Sequence, residues 1–292
     1  DIVPGVSGGT IAFISGIYES LLSAISSINI NFFIEAFKLN FKKALSELHL
    51  RFLSTLFIGI SIAIVSTANL MHFLLQEYPV QIWSFFFGLI TGSILVISRS
   101  IKNRYSSFPI LVLGTIISYK ITGLIPLNTP ENSWFIFFCG MIAICAMILP
   151  GLSGAFILLI LGKYEFITSA LRNPFLKENI FIIIIFCSGS LIGIIIFSRL
   201  LHYGMMRWRD NTLAILTGIM IGSMQKVWPW KITLESQIIR GKEYLIREEN
   251  ILPIFNSEFI IAILISCFGF FLVLILEKIS KYKTKYYTEP SK

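Results

Sequence analysis

The sequence predicts an all-α, polytopic integral membrane protein with two structural repeats, each a re-entrant broken-helix hairpin followed by transmembrane helices. Three observations carry that prediction: the composition, a series of apolar runs of membrane length, and a unit that occurs twice. Of 292 residues, 55% are hydrophobic and 14% charged, against about 45–50% and about 25% in soluble domains. This excludes a soluble enzyme, a nucleic-acid binder and a disordered chain. The formal charge of +8 then reports orientation in a bilayer rather than a polyanionic partner. Cys139, Cys145, Cys187 and Cys267 all lie in apolar runs without CxxC or Cys/His spacing. They predict no metal site and no disulfide framework, only small apolar side chains.

A helix crossing the hydrocarbon needs about 20 mostly apolar residues. In chain order, an apolar hairpin occupies 1–19, and 20–37 is a mixed segment of interfacial character, diluted by Ser20, Ser23, Ser26, Ser27 and Asn29. Clear spans follow at 52–75, 82–98 and 109–125. The run 133–162 is apolar but interrupted by Pro150-Gly151-Leu152-Ser153-Gly154. Further spans lie at 179–201, 211–227 and 257–277. Between the last two, 228–256 carries charges of both signs and reads as a solvated connection.

Internal similarity organises these elements. DIVPGVSGGTIAFISGIYE (1–19) and MILPGLSGAFILLILGKYE (147–165) match at 10 of 19 positions at an offset of 146. A second match, at an offset of 130, pairs Gly59 with Gly189, His72 with His202, and Gly88, Gly92 and Ser93 with Gly218, Gly222 and Ser223. Repeat one is therefore placed at about 1–98 and repeat two at about 133–227, within one membrane domain. The second copy has an apolar arm, 133–147, ahead of its pentapeptide. The expectation is an equivalent arm of roughly 15–25 residues ahead of Asp1.

The pentapeptide P-G-x-S-G breaks a helix, because Pro removes a backbone donor and Gly permits positive φ. Broken backbone at membrane depth is tolerated only when buried in protein or lining a cavity. The helix that restarts after it aims N–H groups back at the break, where an anion is favoured. Two such breaks, one per repeat, point to a transporter's midplane site. The break residues are Pro4, Gly5, Pro150 and Gly151, and the substrate-binding candidates are Ser7, Gly8, Gly9, Thr10, Ser153 and Gly154. Packing kinks are the bland alternative. Lys and Arg divide fifteen to nine across the membrane whether the repeats are inverted or parallel. The inverted arrangement is preferred because the break falls midway through a long apolar run.

Other residues carry weaker signals. Asp1, Glu19 and Glu165 are candidates for a coupling proton or sodium ion, since charge near membrane depth is functional by default. Glu19 and Glu165 equally well reach the interface. Arg99 ends a span and is a candidate to attract a phosphate, with snorkelling as its bland account. His72 and His202 read as structural residues of equivalent spans. Trp228-Pro229-Trp230 fits an aromatic belt, and the G-x-x-x-G pairs at 88/92 and 218/222 fit close helix approach.

The segments Asp1–Glu19, Leu149–Glu165 and Thr217–Trp230 together resemble one bacterial and archaeal family, long known only as a domain of unknown function and now regarded as polyprenyl-phosphate transporters. The resemblance covers essentially the whole chain. It implies a flippase of the cytoplasmic membrane that returns undecaprenyl phosphate, the lipid carrier of cell-wall sugars, to the inner leaflet for reuse. It implies no catalytic residue, metal or cofactor. Two rivals remain. A small-anion or amino-acid transporter of the broken-helix type would need an enclosed watery pocket. A membrane lipid-pyrophosphate phosphatase would share P-G-x-S, but Gly8-Gly9 and Gly154-Ala155 stand where Arg-Ser follows in those enzymes. Without that Arg or paired carboxylates, hydrolysis lacks its electrostatic clamp.

Overall fold

The computed structural model describes residues 8–27, 38, 49–124, 129–239 and 242–288. Two short helices open it, α1 (Gly8–Ile14) and α2 (Tyr18–Ser26), followed by α3 (Leu50–Glu77), α4 (Pro79–Arg99) and α5 (Arg104–Thr122). Then come α6 (Ser133–Ile148), the short pair α7 (Gly154–Ile160) and α8 (Tyr164–Arg172), α9 (Lys177–Arg207) and α10 (Arg209–Ser223). A 3-10 turn (Met224–Val227), two strands and α11 (Ser257–Thr288) complete the described elements.

The repeats seen in sequence recur as local structure. The bounds of α1 and α2 reappear at an offset of 146 in α7 and α8. Each pair turns at a left-handed glycine, Gly16 at φ 72° and Gly162 at φ 63°. In both, the glycine and its successor donate amides back into the first helix: Gly16 to Phe13 O and Ile17 to Ala12 O, Gly162 to Leu159 O and Lys163 to Leu158 O. Glycine ends the helix there because a Cβ disfavours positive φ. The second pair is bent by 116°. At the offset of 130, α3 and α9 end on Tyr78 and Trp208, both at φ −133°, and α4 and α10 start on the next residue.

Three helix pairs form the bundle: α10 on α5, α11 on α4, and α9 on α6. Small residues allow each approach. A Cβ on Gly218 would strike the Leu111 carbonyl, one on Gly88 the Ser266 carbonyl, and one on Gly189 the Phe137 carbonyl. The core joins the first hairpin to α4 and α10 through Tyr18, Leu22, Ile90, Ile97, Leu213 and Met220. The outer faces of α9 and α11 expose Ile184, Ile196, Leu264 and Phe268, as a lipid-facing surface does. In contrast to Gly189, its counterpart Gly59 meets nothing within 4 Å. It lies in an open groove of about 630 Å³ lined by Ile17, Thr55, Leu56, Ile60 and Ala63.

Two sequence expectations are corrected. First, Pro79–Arg99, Lys177–Arg207 and Ser257–Ile279 are long and apolar enough to cross a membrane, or four spans if the bent α7–α8 pair counts as one. The expected spans 109–125 and 211–227 are helical as α5 and α10 but do not reach that standard alone. They bury polar Ser107, Ser118, Thr122, Thr212 and Thr217, which a helix sheltered from lipid by its neighbours tolerates. Second, the connection 228–256 contains an antiparallel ribbon, β1 (Lys231–Ile239) and β2 (Lys242–Asn250), with Lys231 opposite Asn250 and Ile239 opposite Lys242. Alternation in Ile232-Thr233-Leu234-Glu235 was the available signal. The segment 20–37 is helical to Ser26, and its residues 28–37 lie outside the described set.

Candidate functional site

The second break is described throughout. α6 ends at Ile148, and Leu149 turns to extended backbone at ψ 127°. Pro150 is fully buried. Gly151 sits at φ 89°, a left-handed conformation that a side chain would strain. Ser153, extended at φ −115° and ψ 131°, is the N-cap of α7 and makes no side-chain capping bond. Its side chain is nonetheless buried. Gly154 lets α7 fold back on α6, since a Cβ there would stand 2.6 Å from Ala143 O.

Helix α1 meets it. The Gly151 amide donates to Thr10 Oγ1 at 3.1 Å, and both groups are buried. A Cβ on Gly9 would strike the Ile148 carbonyl, so glycine is what allows α1 to lie on the end of α6. Tyr18 Oη donates to the same Ile148 carbonyl at 3.3 Å. Residues 141 apart in sequence thus share one buried junction. A third element closes it. A Cβ on Gly151 would stand 2.6 Å from Ser223 Oγ, at the C-terminal end of α10, where Ser223 Oγ donates to Met220 O. The junction is therefore lined by small residues, hydroxyls and main-chain groups.

Of the predicted site residues, Gly8, Gly9 and Thr10 lie in α1, with Gly9 and Thr10 against the second break, and Pro150, Gly151, Ser153 and Gly154 form that break. Asp1, Pro4, Gly5 and Ser7 lie outside the described residues, as does the side chain of His72. Arg99 is exposed in the last turn of α4. It lies next to the loop whose Lys102 and Asn103 amides donate to Asp210 at the start of α10. Ser223 is thirteen residues on, about 20 Å along the helix, so Arg99 is not brought to the junction. These amides hold the Asp210 carboxyl below its ordinary pKa. Glu19 is exposed at that same end, paired with Arg209 at 2.6 Å. Glu165 lies 3.9 Å from Arg172, and its Oε2 is buried without a hydrogen bond.

Three polar residues with definite contacts were not singled out from the sequence. Ser223 was inside the offset-130 match, but its meeting with Gly151 has no local signal. Lys163, which stands where the first copy has Ile17, is buried and donates to Thr129 O at 2.7 Å. The departure from the repeat was the clue. Lys226 places Nζ 5.1 Å from the centre of the Phe156 ring, in the first turn of α7. Trp228 and Trp230, read as belt residues, stack edge-on at 5.5 Å and extend the aromatic surface to Phe87 and Phe259.

With this geometry in place, the comparisons are specific. Residues 1–244 match the family described as VCA0040-like, undecaprenyl phosphate translocase-like. The polyprenyl-phosphate transporter of Vibrio cholerae is 40% identical over 287 residues, covering 95% of this chain and 92% of that protein. The polyprenyl-phosphate transporter of Staphylococcus aureus is 32% identical over 246 residues, covering 78% of this chain and 82% of its own length. No solved structure matches.

Proposed function

The chain belongs to the undecaprenyl phosphate translocase-like family, and from that premise we propose that it is a flippase carrying polyprenyl phosphate across the cytoplasmic membrane for reuse of the carrier. The observation that carries this reading is the Thr10–Gly151 contact, which joins α1 to the broken backbone between α6 and α7 inside an apolar bundle. Such a substrate has an anionic head that needs donors and an isoprenoid tail that is stable in lipid. The head is held by Ser7, Gly8, Gly9, Thr10, Ser153 and Gly154, while the tail stays among the acyl chains. Inverted repeats that rock against one another about this junction would present it to each leaflet in turn. A proton or sodium gradient drives the cycle. Of the two described acidic candidates, each with an arginine partner, Glu165 is favoured, because one of its carboxylate oxygens is buried without a hydrogen bond.

The test is reconstitution in liposomes with a leaflet-reporting assay, comparing the full chain with the Ser7→Ala plus Ser153→Ala variant. A hydrogen bond to a charged group is worth about 1.5–3 kcal/mol, so the double variant is expected to slow translocation at least tenfold. Unchanged translocation removes the assignment of these serines. Uptake of a soluble anion without lipid movement gives the small-anion reading, and release of inorganic phosphate from a lipid pyrophosphate gives the enzyme.

A further inference from the structure

We propose that Lys226 is the cation that receives the lipid phosphate at the mouth of the second break; the inference rests on the flippase reading and adds a residue to its site. Ser223, at the end of α10, lies against Gly151 of the break. In the 3-10 turn Met224–Val227 that follows, the Lys226 ammonium stands over the Phe156 ring of α7. Phe156 is two residues beyond Gly154, so the charge sits within one helical turn of the broken backbone. An ammonium on an aromatic face keeps its charge at a small desolvation cost and can exchange that face for a phosphate oxygen.

The turn is anchored on both sides. Gln225 Nε2 donates to Tyr119 O at 2.6 Å and also to Thr122 Oγ1, which ties it to α5. Asn250 Nδ2 donates to Gln225 O at 2.9 Å, and Lys231 Nζ to Lys226 O at 2.7 Å. Lys231 itself lies 4.1 Å above the Trp83 ring. The ribbon therefore does two things: it fixes the backbone that presents Lys226, and it brings a second ammonium, that of Lys231, against the main chain of the same turn. Trp228 Nε1 donates to Ile251 O at 3.0 Å, so the aromatic cluster flanking the two lysines is held in place as well. A Trp-rich, cationic rim suits an anionic phosphate monoester arriving at the headgroup level of a bilayer.

The experiment uses the full chain in proteoliposomes, with polyprenyl phosphate as probe and inorganic phosphate as competitor. Lys226→Gln is expected to raise the half-saturating lipid concentration about tenfold with the maximal rate within about twofold. Lys226→Arg is expected to restore most of the loss, because charge rather than shape is what acts. Rising salt should weaken the wild type more steeply than Lys226→Gln, which keeps only the Lys231 charge. Competition by inorganic phosphate in the wild type marks recognition of the bare head, and its absence marks a need for the lipid; both are compatible with the proposal only if Lys226→Gln shifts half-saturation. If Lys226→Gln does not fold, Phe156→Leu serves, expected to shift half-saturation about threefold. An unchanged half-saturation in Lys226→Gln, or an Arg variant as impaired as the Gln one, overturns the proposal. A wild type that moves no lipid phosphate sinks the flippase reading instead. Lipid binding by native mass spectrometry, present in wild type and lost in Lys226→Gln, then still decides the role of Lys226.

Discussion

Replacing Thr10 by Val tests whether α1 and the second break are one structural unit. Thr10 is almost fully buried, at 1% exposure, and Val preserves its shape while deleting Oγ1. What is lost is the acceptor 3.1 Å from the Gly151 amide, in a place where water has no access. Depriving a buried donor of its partner costs about 1–3 kcal/mol. At about 2–4 °C per kcal/mol for chains of this order, the unfolding midpoint in detergent should fall by roughly 2–12 °C. Thr10→Ser is the control. It keeps the oxygen and removes one methyl, worth about 0.8 kcal/mol, so its midpoint should lie between those of wild type and Thr10→Val. Thermal unfolding monitored by tryptophan fluorescence reads both. A Thr10→Val midpoint equal to that of wild type, or a larger loss for Thr10→Ser, refutes the argument that this bond joins the repeats.

Three further outcomes follow from the same geometry. Gly151→Ala adds a Cβ at φ 89° and 2.6 Å from Ser223 Oγ; strain of about 1–3 kcal/mol plus displacement of α10 should lower the midpoint and slow translocation together. Gly189→Ala and Gly59→Ala make the same change at matched positions, but only the first meets a backbone carbonyl, that of Phe137. Chemical denaturation in mixed micelles should show Gly189→Ala destabilised by about 1–3 kcal/mol and Gly59→Ala neutral or up to about 1 kcal/mol more stable. The Asp210 carboxyl is held below its usual value first by the Asn103 amide and then by the Lys102 amide. Its contribution is complete above the unfolded carboxylate range and disappears as pH falls through the lower folded value. Asp210→Ala should therefore lower the midpoint at pH 7, and the difference from wild type should shrink as pH falls below the ordinary carboxylate range, as read by a pH series of melts.

The hairpins were readable in sequence because their signal is local. Gly16 and Gly162 end helices through backbone conformation, and the described pentapeptide, Pro150–Gly154, interrupts the helical run between α6 and α7. The G-x-x-x-G pairs were equally readable, since close approach needs small residues at that spacing, though not which helices they face: 88/92 meets α11 and 218/222 meets α5. The junction itself was not readable. Thr10 and Gly151 are brought together by the packing of α1 on the end of α6, and no short-range pattern encodes that. The reach of α5 and α10 was misjudged for a related reason. Membrane length was expected of each alone, while Ser118 and Thr217 are buried against neighbouring helices. The ribbon at 231–250 went unseen because a polar connection with mixed charge was read by composition rather than by its alternation, and Lys226 was hidden inside that same transition.

Photo-crosslinking of the full chain with a polyprenyl phosphate carrying a diazirine beside the phosphate tests the central claim most directly. Mapping by mass spectrometry should place the label on peptides containing residues 7–10 and 150–156, and unlabelled lipid phosphate should compete it away. Competable labelling confined to the Arg99–Asp210 end of the bundle, or to the outer faces of α9 and α11, would contradict the account.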